Sequence, residues 1–333
     1  MSAIDKNNNK ERRNVVETIH RIEKIPYWHN YYEPTIVQRA EQLLQEHAVR
    51  SQGIDLYVNV YERPEPDAPV LIWNHGGGGY SGIFVSLALA FYDRGYTVVI
   101  ADMQGHGRTG TGAMKGDFTI DGMAQNIVDV VAWTRQRYHG PLFMSSGSMG
   151  TGITYNAIAM GAHVNAVVTL QMYAFDDPQT ALLLSKFAPL AKIPGLAWLS
   201  KTITRTLAQR FPKVRLPYLP IAHWDYMLDK RDHASGFIET WKRDLYTPRT
   251  ITLGSFASLQ YAPPRIPLAH SQTPWLVINT MRDKMVSPQV TRETYARLGG
   301  PKKYVEIDWG HFSHDPAFME EFITLVDGWF KQY

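Results

Sequence analysis

Short apolar runs recur along most of this chain, and each is separated from the next by a segment long enough to form a helix. The runs are Val70–Trp73, Thr97–Ala101, Leu142–Ser146, Ala166–Leu170, Trp275–Asn279 and Tyr304–Ile307. Because they do not alternate with polar residues, they suit strands that are buried on both faces, and the helices between them suit parallel crossovers. The pattern predicts an α/β fold with a mostly parallel central sheet flanked by helices.

Helical spacing of apolar residues predicts a helix at about 35–46, as an N-terminal addition to the core. The helices between the parallel runs are expected at about 81–94, 120–138, 150–162, 288–298 and 316–331. Before the first parallel run, Gln52-Gly53 is a turn signal and the residues after it alternate between apolar and polar. This pattern indicates an antiparallel hairpin from about residue 47.

One interval is too long for a crossover. Between the runs that end at Leu170 and begin at Trp275, the chain carries many aromatic residues and prolines. A structureless loop of this length is improbable in a compact protein. We therefore expect a mainly helical cap at residues 174–270, inserted into a core formed by residues 47–173 and 271–333. Residues 1–46 form an N-terminal extension with a helix, of which residues 1–13 are expected to be disordered.

The charge balance and the absence of cysteine exclude several classes of function. The 34 Lys and Arg nearly balance the 31 Asp and Glu, which argues against a nucleic-acid partner and against a polybasic membrane anchor. The absence of Cys excludes disulfides, thiolate metal sites and a cysteine nucleophile. The N-terminus lacks the apolar stretch of a signal peptide, and no run of roughly 18 apolar residues occurs. We expect a cytoplasmic protein without stable membrane insertion.

The segment from Leu142 to Gly152 predicts a strand that passes through a tight turn into a helix. A nucleophile elbow requires small residues two before and two after the reactive serine, and Ser146 and Gly150 fill those positions around Ser148. The pattern is therefore S-x-S-x-G, where G-x-S-x-G is usual. A Gly/Ser-rich loop that only caps the helix is the alternative interpretation, and Ser145 and Ser146 are alternative nucleophiles.

A serine nucleophile needs a histidine base and a carboxylate that fixes the tautomer of that histidine. Asp283 follows the run at 275–279 and His311 follows the run at 304–307, so both lie past the carboxyl ends of parallel strands, where α/β folds build their sites. The order Ser148, Asp283, His311 is typical of one fold. Asp176 or Asp177 could replace Asp283, and His314 could replace His311.

With these three positions the chain resembles the α/β-hydrolase family, in its cap-bearing branch of monoacylglycerol lipases, lysophospholipases and serine aminopeptidases. Two further motifs support the resemblance, which spans about residues 47–331. The sequence N-H-G-G-G-G at 74–79 resembles the oxyanion loop of the family, and D-M-Q-G-H-G-R-T at 102–109 resembles its D-x-x-G-H-G-x-S/T turn.

The resemblance implies roles for particular residues. Ser148 would be the nucleophile, His311 the base and Asp283 the acid, and the N–H groups of Gly77 and Met149 would face the oxyanion. The supporting residues would be His75, Gly76 and Gly150, and His106 would likewise serve the structure of the loops. The glycines at 76–79 lack the Lys and spacing of a phosphate-binding loop.

The expected activity is serine hydrolysis of a small or acyl-chain carboxylic ester through an acyl-enzyme. A lactone is open to the same chemistry, so an acyl-homoserine lactone hydrolase is an alternative, as are a serine aminopeptidase and a non-catalytic ligand receptor. We expect an apolar small-molecule substrate, no cofactor and no metal; homo-oligomer formation is left open. The cap does hold acids and histidines without metal-site spacing, namely His223, Asp225, Asp229, Asp232 and His233.

Overall fold

The computed structural model describes residues 28–333, and an eight-stranded sheet forms its centre. The strands of this sheet are β1 Leu44–Ser51, β2 Ile54–Tyr61, β3 Val70–Asn74, β4 Thr97–Ala101, β5 Leu142–Gly147, β6 Ala166–Leu170, β9 Trp275–Thr280 and β10 Lys302–Ile307. Strands β3, β4, β5 and β6 are buried along nearly their whole length, as apolar runs without alternation predict.

The strand order is β1-β2-β4-β3-β5-β6-β9-β10. All pairs from β4 to β10 are parallel, whereas β1 pairs antiparallel with β2, and β2 antiparallel with β4. The predicted hairpin and the mostly parallel sheet are therefore confirmed. Because β3, β5, β6, β9 and β10 run in one direction, the loops after their carboxyl ends meet along one edge, where a site can form.

Ten α-helices occur in the described residues. They are α1 Pro34–Leu43, α2 Val85–Asp93, α3 Ile120–Arg135, α4 Met149–Ala159, α5 Pro178–Leu183, α6 Leu196–Arg210, α7 Phe237–Arg243, α8 Leu253–Gln260, α9 Pro288–Arg297 and α10 Pro316–Phe330. The helices expected to flank the sheet are present with ends shifted by a few residues. The largest shift is at 81–94, where a 3-10 turn at Ser81–Phe84 precedes α2.

The chain between β6 and β9, which we term the insertion, holds helices α5 to α8 and a two-stranded sheet of β7 Arg215–Pro217 and β8 Thr250–Thr252. Helix α6 packs against α8 and α5. This segment is mainly helical, as the interval between the parallel runs predicts.

The N-terminal helix is shorter than the sequence indicates. Helix α1 ends at Leu43 and β1 begins at Leu44, so residues predicted to be helical up to 46 belong to the sheet, where Glu46 pairs with Asn59. The pairing with β2 outweighs the helical pattern at these positions. The predicted disorder of residues 1–13 lies outside the described residues. Within the described part of the chain, no helix is long and apolar enough to cross a bilayer.

Candidate active site

Ser148 lies at the turn between β5 and α4 with backbone angles φ 54° and ψ −131°. A positive φ is rare for a residue with a side chain, and such strain is typical of functional turns. Gly150 explains how the turn is tolerated, since a Cβ added there would lie 2.7 Å from the carbonyl oxygens of both Asn74 and His75. The small residue expected two positions after Ser148 is therefore required by close backbone packing.

The two alternative serines are placed differently. Ser145 and Ser146 belong to β5, and both side chains are fully buried. Their hydroxyl oxygens have no hydrogen-bond partner in the part of the chain that the structure describes. Ser148, in contrast, lines a cavity together with His311. Of the three serines, Ser148 has access to a ligand.

His311 and Asp283 are in direct contact. The Nδ1 atom of His311 lies 2.7 Å from Oδ2 of Asp283, whose carboxylate is fully buried. The other carboxylate oxygen, Oδ1, accepts hydrogen bonds from the backbone N–H groups of Met285 and Val286 at 2.7 and 3.0 Å. A carboxylate held in this way fixes the orientation of the imidazole and favours a proton on Nδ1, which leaves Nε2 as the basic nitrogen.

The alternative acids and the alternative base have other partners. Asp176 forms an ion pair with Arg297, and Asp177 caps helix α5 by accepting the N–H of Gln179 at 2.9 Å. The ring of His314 packs 4.6 Å from that of Phe237, and burial lowers the pKa of His314 to about 4. The structure thus brings Asp283, and not Asp176 or Asp177, to a histidine.

The glycine loop after β3 packs on the elbow. A Cβ added at Gly76 would lie 3.3 Å from Cβ of Ser148 and 3.6 Å from the backbone nitrogen of Met149. One added at Gly77 would lie 3.5 Å from the Met149 sulfur. Met149 is the first residue of α4, so its N–H has no acceptor inside the helix. Gly77 and Met149 are therefore neighbours beside Ser148.

His75 joins the two glycine-rich loops. Its Nε2 accepts the N–H of Met103 at 3.0 Å, so the proton is on Nδ1, which lies 2.9 Å from the carbonyl oxygen of Gly76. Burial, together with the neighbouring His106, lowers the pKa of His75 to about 3. His75 is therefore neutral near pH 7 and acts on the geometry of the loop that contains Gly76.

Asp102 organises the second glycine-rich turn. Its carboxylate accepts hydrogen bonds from the N–H groups of Ser81 at 2.7 Å and Arg108 at 2.8 Å. Burial raises the pKa of Asp102 to about 6, although these hydrogen bonds oppose the shift. A Cβ at Gly107, where φ is +55°, would overlap this carboxylate. Asp102 therefore joins this turn to the chain at Ser81, shortly after the glycine loop at 76–79.

Aromatic side chains of the insertion cover the glycine loop. The indole N–H of Trp241 donates to the carbonyl of Gly78 at 3.0 Å, and the ring of Trp241 stacks on that of Trp224 at 4.7 Å. A Cβ added at Gly77 would lie 2.8 Å from the hydroxyl of Tyr218, so this phenol lies next to Gly77. The sequence shows these residues only as unassigned aromatic residues of the insertion.

A second phenol comes from the loop after β6. Burial raises the pKa of Tyr173, while a hydrogen bond with the Ser148 side chain opposes this shift. Tyr173 lines the same cavity as Tyr218. No motif in the sequence indicates Tyr173, because its contact with Ser148 exists only in the folded chain.

Gln171 is a further residue that sequence reasoning missed. It has a positive φ of 53° and is buried at the end of β6. Its side-chain amide donates to the carbonyl of His311 at 2.7 Å and to the hydroxyl of Thr280 at 2.8 Å. Gln171 therefore ties the loop of His311 to the ends of β6 and β9.

The cavity beside Ser148 has a volume of about 450 Å³, in the range of small-molecule sites. Its walls are mostly apolar and aromatic side chains from the core and the insertion, among them Phe84, Phe175, Leu182, Leu196, Trp224, Phe256 and Phe312. Asp177 is the one carboxylate among the described lining residues. The cavity therefore suits a largely apolar ligand.

The acids of the insertion are engaged in other contacts. Asp225 pairs with Lys242 at 3.0 Å, Asp229 pairs with Arg231 at 2.9 Å, and Asp232 accepts the N–H of His314 at 3.1 Å. Among the described residues, no group of three or more His, Asp or Glu side chains could hold a metal ion.

Comparison with known families identifies the fold. The family model described as serine aminopeptidase, S33 (Hydrolase_4) matches residues 64–318, more than half of the chain. The chain belongs to this family of hydrolases. The resemblance to the α/β-hydrolase family and the fold predicted from the sequence are thereby confirmed. No curated protein matches this hydrolase at a significant level.

Solved structures show the same fold. A monoacylglycerol lipase of Paleococcus ferrophilus superimposes with a TM-score of 0.62 at 17% identity, covering 83% of this chain and 98% of that one. A soluble variant of monoglyceride lipase from Saccharomyces cerevisiae gives 0.61 at 14% identity, covering 87% and 96%. A carboxyl esterase of Bacillus coagulans gives 0.60 at 17% identity, covering 86% and 99%. At these identities the similarity shows the fold.

Proposed function

We propose that this hydrolase cleaves a carboxylic ester with an apolar acyl chain through a covalent acyl-enzyme, with Ser148, His311 and Asp283 as its catalytic triad. The observation that carries the proposal is the 2.7 Å contact of His311 Nδ1 with Asp283 Oδ2, because His311 lines the same cavity as Ser148. An imidazole oriented by a buried carboxylate, in one cavity with a serine on a strained turn, supplies the groups that acyl transfer needs.

In the first step the Ser148 oxygen attacks the ester carbonyl while Nε2 of His311 accepts its proton. Asp283 stabilises the imidazolium that forms. The negative charge moves to the carbonyl oxygen, where the N–H groups of Gly77 and Met149 donate hydrogen bonds to it. Each such donor contributes roughly a hundred- to a thousand-fold in rate. The tetrahedral intermediate then collapses, and His311 returns the proton to the leaving alkoxide.

In the second step water attacks the acyl-enzyme. His311 accepts a proton from this water, the same N–H groups stabilise the second oxyanion, and the acid is released as Ser148 regains its proton. Because His75 is held neutral by burial and bound to two backbone groups, it takes no part in these proton transfers.

The apolar side chains of the insertion favour an apolar substrate. Aromatic and aliphatic side chains of residues 174–270 form much of the cavity wall, and we propose that this segment acts as the cap over the site. A monoacylglycerol lipase and a carboxyl esterase share the fold. An acyl chain in this cavity would be buried against carbon atoms, which is favourable by about 0.8 kcal/mol per CH₂.

An aminopeptidase activity is less well supported, despite the description of the family. The free amine of a peptide substrate needs a carboxylate partner in an apolar site. Asp177, the one carboxylate among the described lining residues, already accepts the N–H of Gln179. The cavity therefore favours a neutral ester.

Labelling with a fluorophosphonate tests the nucleophile. We expect the wild type to be labelled at Ser148, and Ser148→Ala to lose labelling and roughly four to six orders of magnitude in turnover. Ser200→Ala is the matched control, because Ser200 also lines the cavity and should retain activity. Labelling at another serine would show that the elbow assignment is wrong.

A substrate panel tests the activity. We expect steady-state turnover of p-nitrophenyl esters with a preference for medium over very short acyl chains, and slower turnover of aminoacyl anilides. Turnover of acyl-homoserine lactones in the same panel shows whether cyclic esters are accepted as substrates. A single burst without turnover would instead indicate a ligand receptor.

A further inference from the structure

Helix α6 exposes apolar side chains on its outer side. Leu199, Ile203 and Leu207 follow one another at intervals of four residues and are 56%, 52% and 47% exposed. Residues four apart form one stripe on a helix, so these side chains are neighbours. An apolar stripe of this kind usually packs against the rest of the protein, but this stripe is exposed to solvent.

The stripe is extended by neighbouring parts of the insertion. Phe187, Ile193 and Phe211 are 52%, 50% and 52% exposed, and the short 3-10 helix Ala188–Lys192 packs against α6. We term this surface the insertion face, defined by Phe187, Ile193, Leu199, Ile203, Leu207 and Phe211. Single exposed apolar residues are normal, but a contiguous patch marks an interaction surface.

The charge of this segment indicates the kind of partner. Between Asp177 and Asp225 the sequence contains seven Lys and Arg and no Asp or Glu, so the rest of the chain has 27 basic residues against 31 acidic ones. The net charge of +3 conceals this asymmetry. Two of the seven are engaged within the protein, since Lys213 pairs with Asp117 and Arg215 donates to the carbonyls of Ala113 and Lys115. The other five form no ion pair with the side chains that the structure describes. The partner should be anionic and apolar.

Two other occupants fit poorly. A symmetric dimer through this face would bring the exposed cations of one copy, such as Lys192 and Arg205, against those of the other, because such an interface uses the same patch twice. The N-terminal segment 1–27 has six Lys and Arg against four acids, so it would also be repelled. Neither offers the negative charge that the face requires.

We propose that the insertion face docks on the surface of an anionic phospholipid bilayer, with its apolar side chains among the acyl chains and its cations among the headgroups. This is the mode of an amphipathic interfacial helix, which lies in the surface without crossing it. The proposal revises the sequence-based expectation that no membrane-binding basic surface exists, and leaves the absence of stable insertion unchanged.

Docking would also orient the cavity. Phe187 and Leu190 are about half exposed on the outside and also line the cavity, as does Leu196 at the start of α6. The cavity wall is therefore continuous with the insertion face. A bilayer bound there would lie at the cavity mouth, so that an acyl-chain ester could pass from lipid to site. This goes beyond the proposed function, since binding needs no catalysis.

Flotation with vesicles tests the proposal, using full-length Ser148→Ala so that no lipid is hydrolysed. We expect the protein to float with vesicles of equal parts phosphatidylcholine and phosphatidylglycerol, and to bind vesicles of phosphatidylcholine alone at least about tenfold more weakly. Binding should weaken as salt is raised, because the headgroup attraction is screened. Failure to bind the anionic vesicles at low salt would overturn the proposal.

Two pairs of variants locate the surface. Leu199→Ser with Ile203→Ser should reduce binding about tenfold or more. Leu245→Ser should not, although Leu245 is 73% exposed, the highest value among the large apolar side chains that the structure describes. Lys192→Glu with Arg205→Glu should reduce binding about twenty-fold or more, at roughly fivefold for each cation removed, whereas the exposed Lys303→Glu should not.

The melting temperature of each variant shows that loss of binding is not loss of fold. Gel filtration tests whether the insertion face is instead an interface between two copies of the chain. If the wild type is a dimer that the face variants dissociate, and vesicle binding does not change in those variants, the face is an interface between copies and the proposal is wrong.

Discussion

The carboxylate of Asp229 accepts a hydrogen bond from the backbone N–H of Gly310 at 2.6 Å. Gly310 directly precedes His311, and the N–H of Asp229 itself donates to the carbonyl of Phe312, directly after it, at 2.7 Å. A residue of the insertion therefore holds the backbone on both sides of His311. Although burial alone would raise the pKa of Asp229, hydrogen bonds from Arg231 and Gly310 hold it below its usual range.

Replacing Asp229 should lower kcat with little change in KM, because the imidazole of His311 would lose its orientation while the cavity would remain. We expect a fall of roughly ten- to a hundred-fold in kcat for Asp229→Ala. Asp229→Asn keeps an oxygen that can accept the N–H of Gly310 and should recover part of the rate. Asp225→Asn is the control. A rise in KM alone would show that Asp229 shapes the cavity and does not position His311.

Tyr218 should contribute a hydrogen bond to the bound substrate. Its hydroxyl lies next to Gly77, and burial raises its pKa, so it stays protonated and able to donate at neutral pH. We expect Tyr218→Phe to reduce kcat/KM by roughly tenfold, less than the loss of a backbone oxyanion donor. Tyr226→Phe, in a more exposed tyrosine outside the cavity lining, should be neutral. Equal effects of the two variants would contradict this role.

The stability of the protein should fall as the pH is lowered from about 6.5 toward 4. Burial lowers the pKa of His75 to about 3 and those of His106 and His314 to about 4, so each of these histidines binds a proton in the unfolded chain that it lacks in the folded protein. Asp102 and Asp244, whose pKa values burial raises, act in the opposite direction but are fewer.

Thermal unfolding between pH 7 and pH 5 measures this dependence. The melting temperature should decrease over the interval, and His106→Gln should make the decrease shallower because one proton-linked group is removed. The variant of an exposed histidine, His163→Gln, serves as control. A melting temperature that rises toward pH 5 would mean that the buried carboxyls outweigh the histidines.

The strands of the sheet could be predicted from the sequence because the signal for each strand lies within its own residues. Strands such as Thr97–Ala101 and Ala166–Leu170 are buried on both faces, so their apolar runs mark them without knowledge of their neighbours. The elbow was also predictable, since the turn at Ser148 demands small residues at fixed positions. The roles of Ser148, His311 and Asp283 remain predictions that kinetics must test.

Contacts made across the fold could not be predicted. Asp229 was visible only as one of several acids in the insertion, and its hydrogen bond to Gly310 joins residues 81 positions apart. Gln171 adopts a positive φ that no sequence signal indicates for a glutamine. The helical pattern also continues to about residue 46, past the end of α1 at Leu43, because pairing of β1 with β2 decides where the helix stops. In each case tertiary packing outweighs local preference.

The two glycines that flank Ser148 within the elbow should respond differently to the same substitution. A Cβ at Gly150 would lie 2.7 Å from two backbone carbonyl oxygens, which cannot rotate away, whereas one at Gly147 would meet nothing closer than 3.8 Å. We expect Gly150→Ala to destabilise the fold by about 2 kcal/mol or more, because β3 and α4 must separate. Gly147→Ala should change stability by less than about 1 kcal/mol. Urea unfolding of both variants measures the difference, and equal stabilities would show that the helix and strand are not packed as closely as the elbow requires.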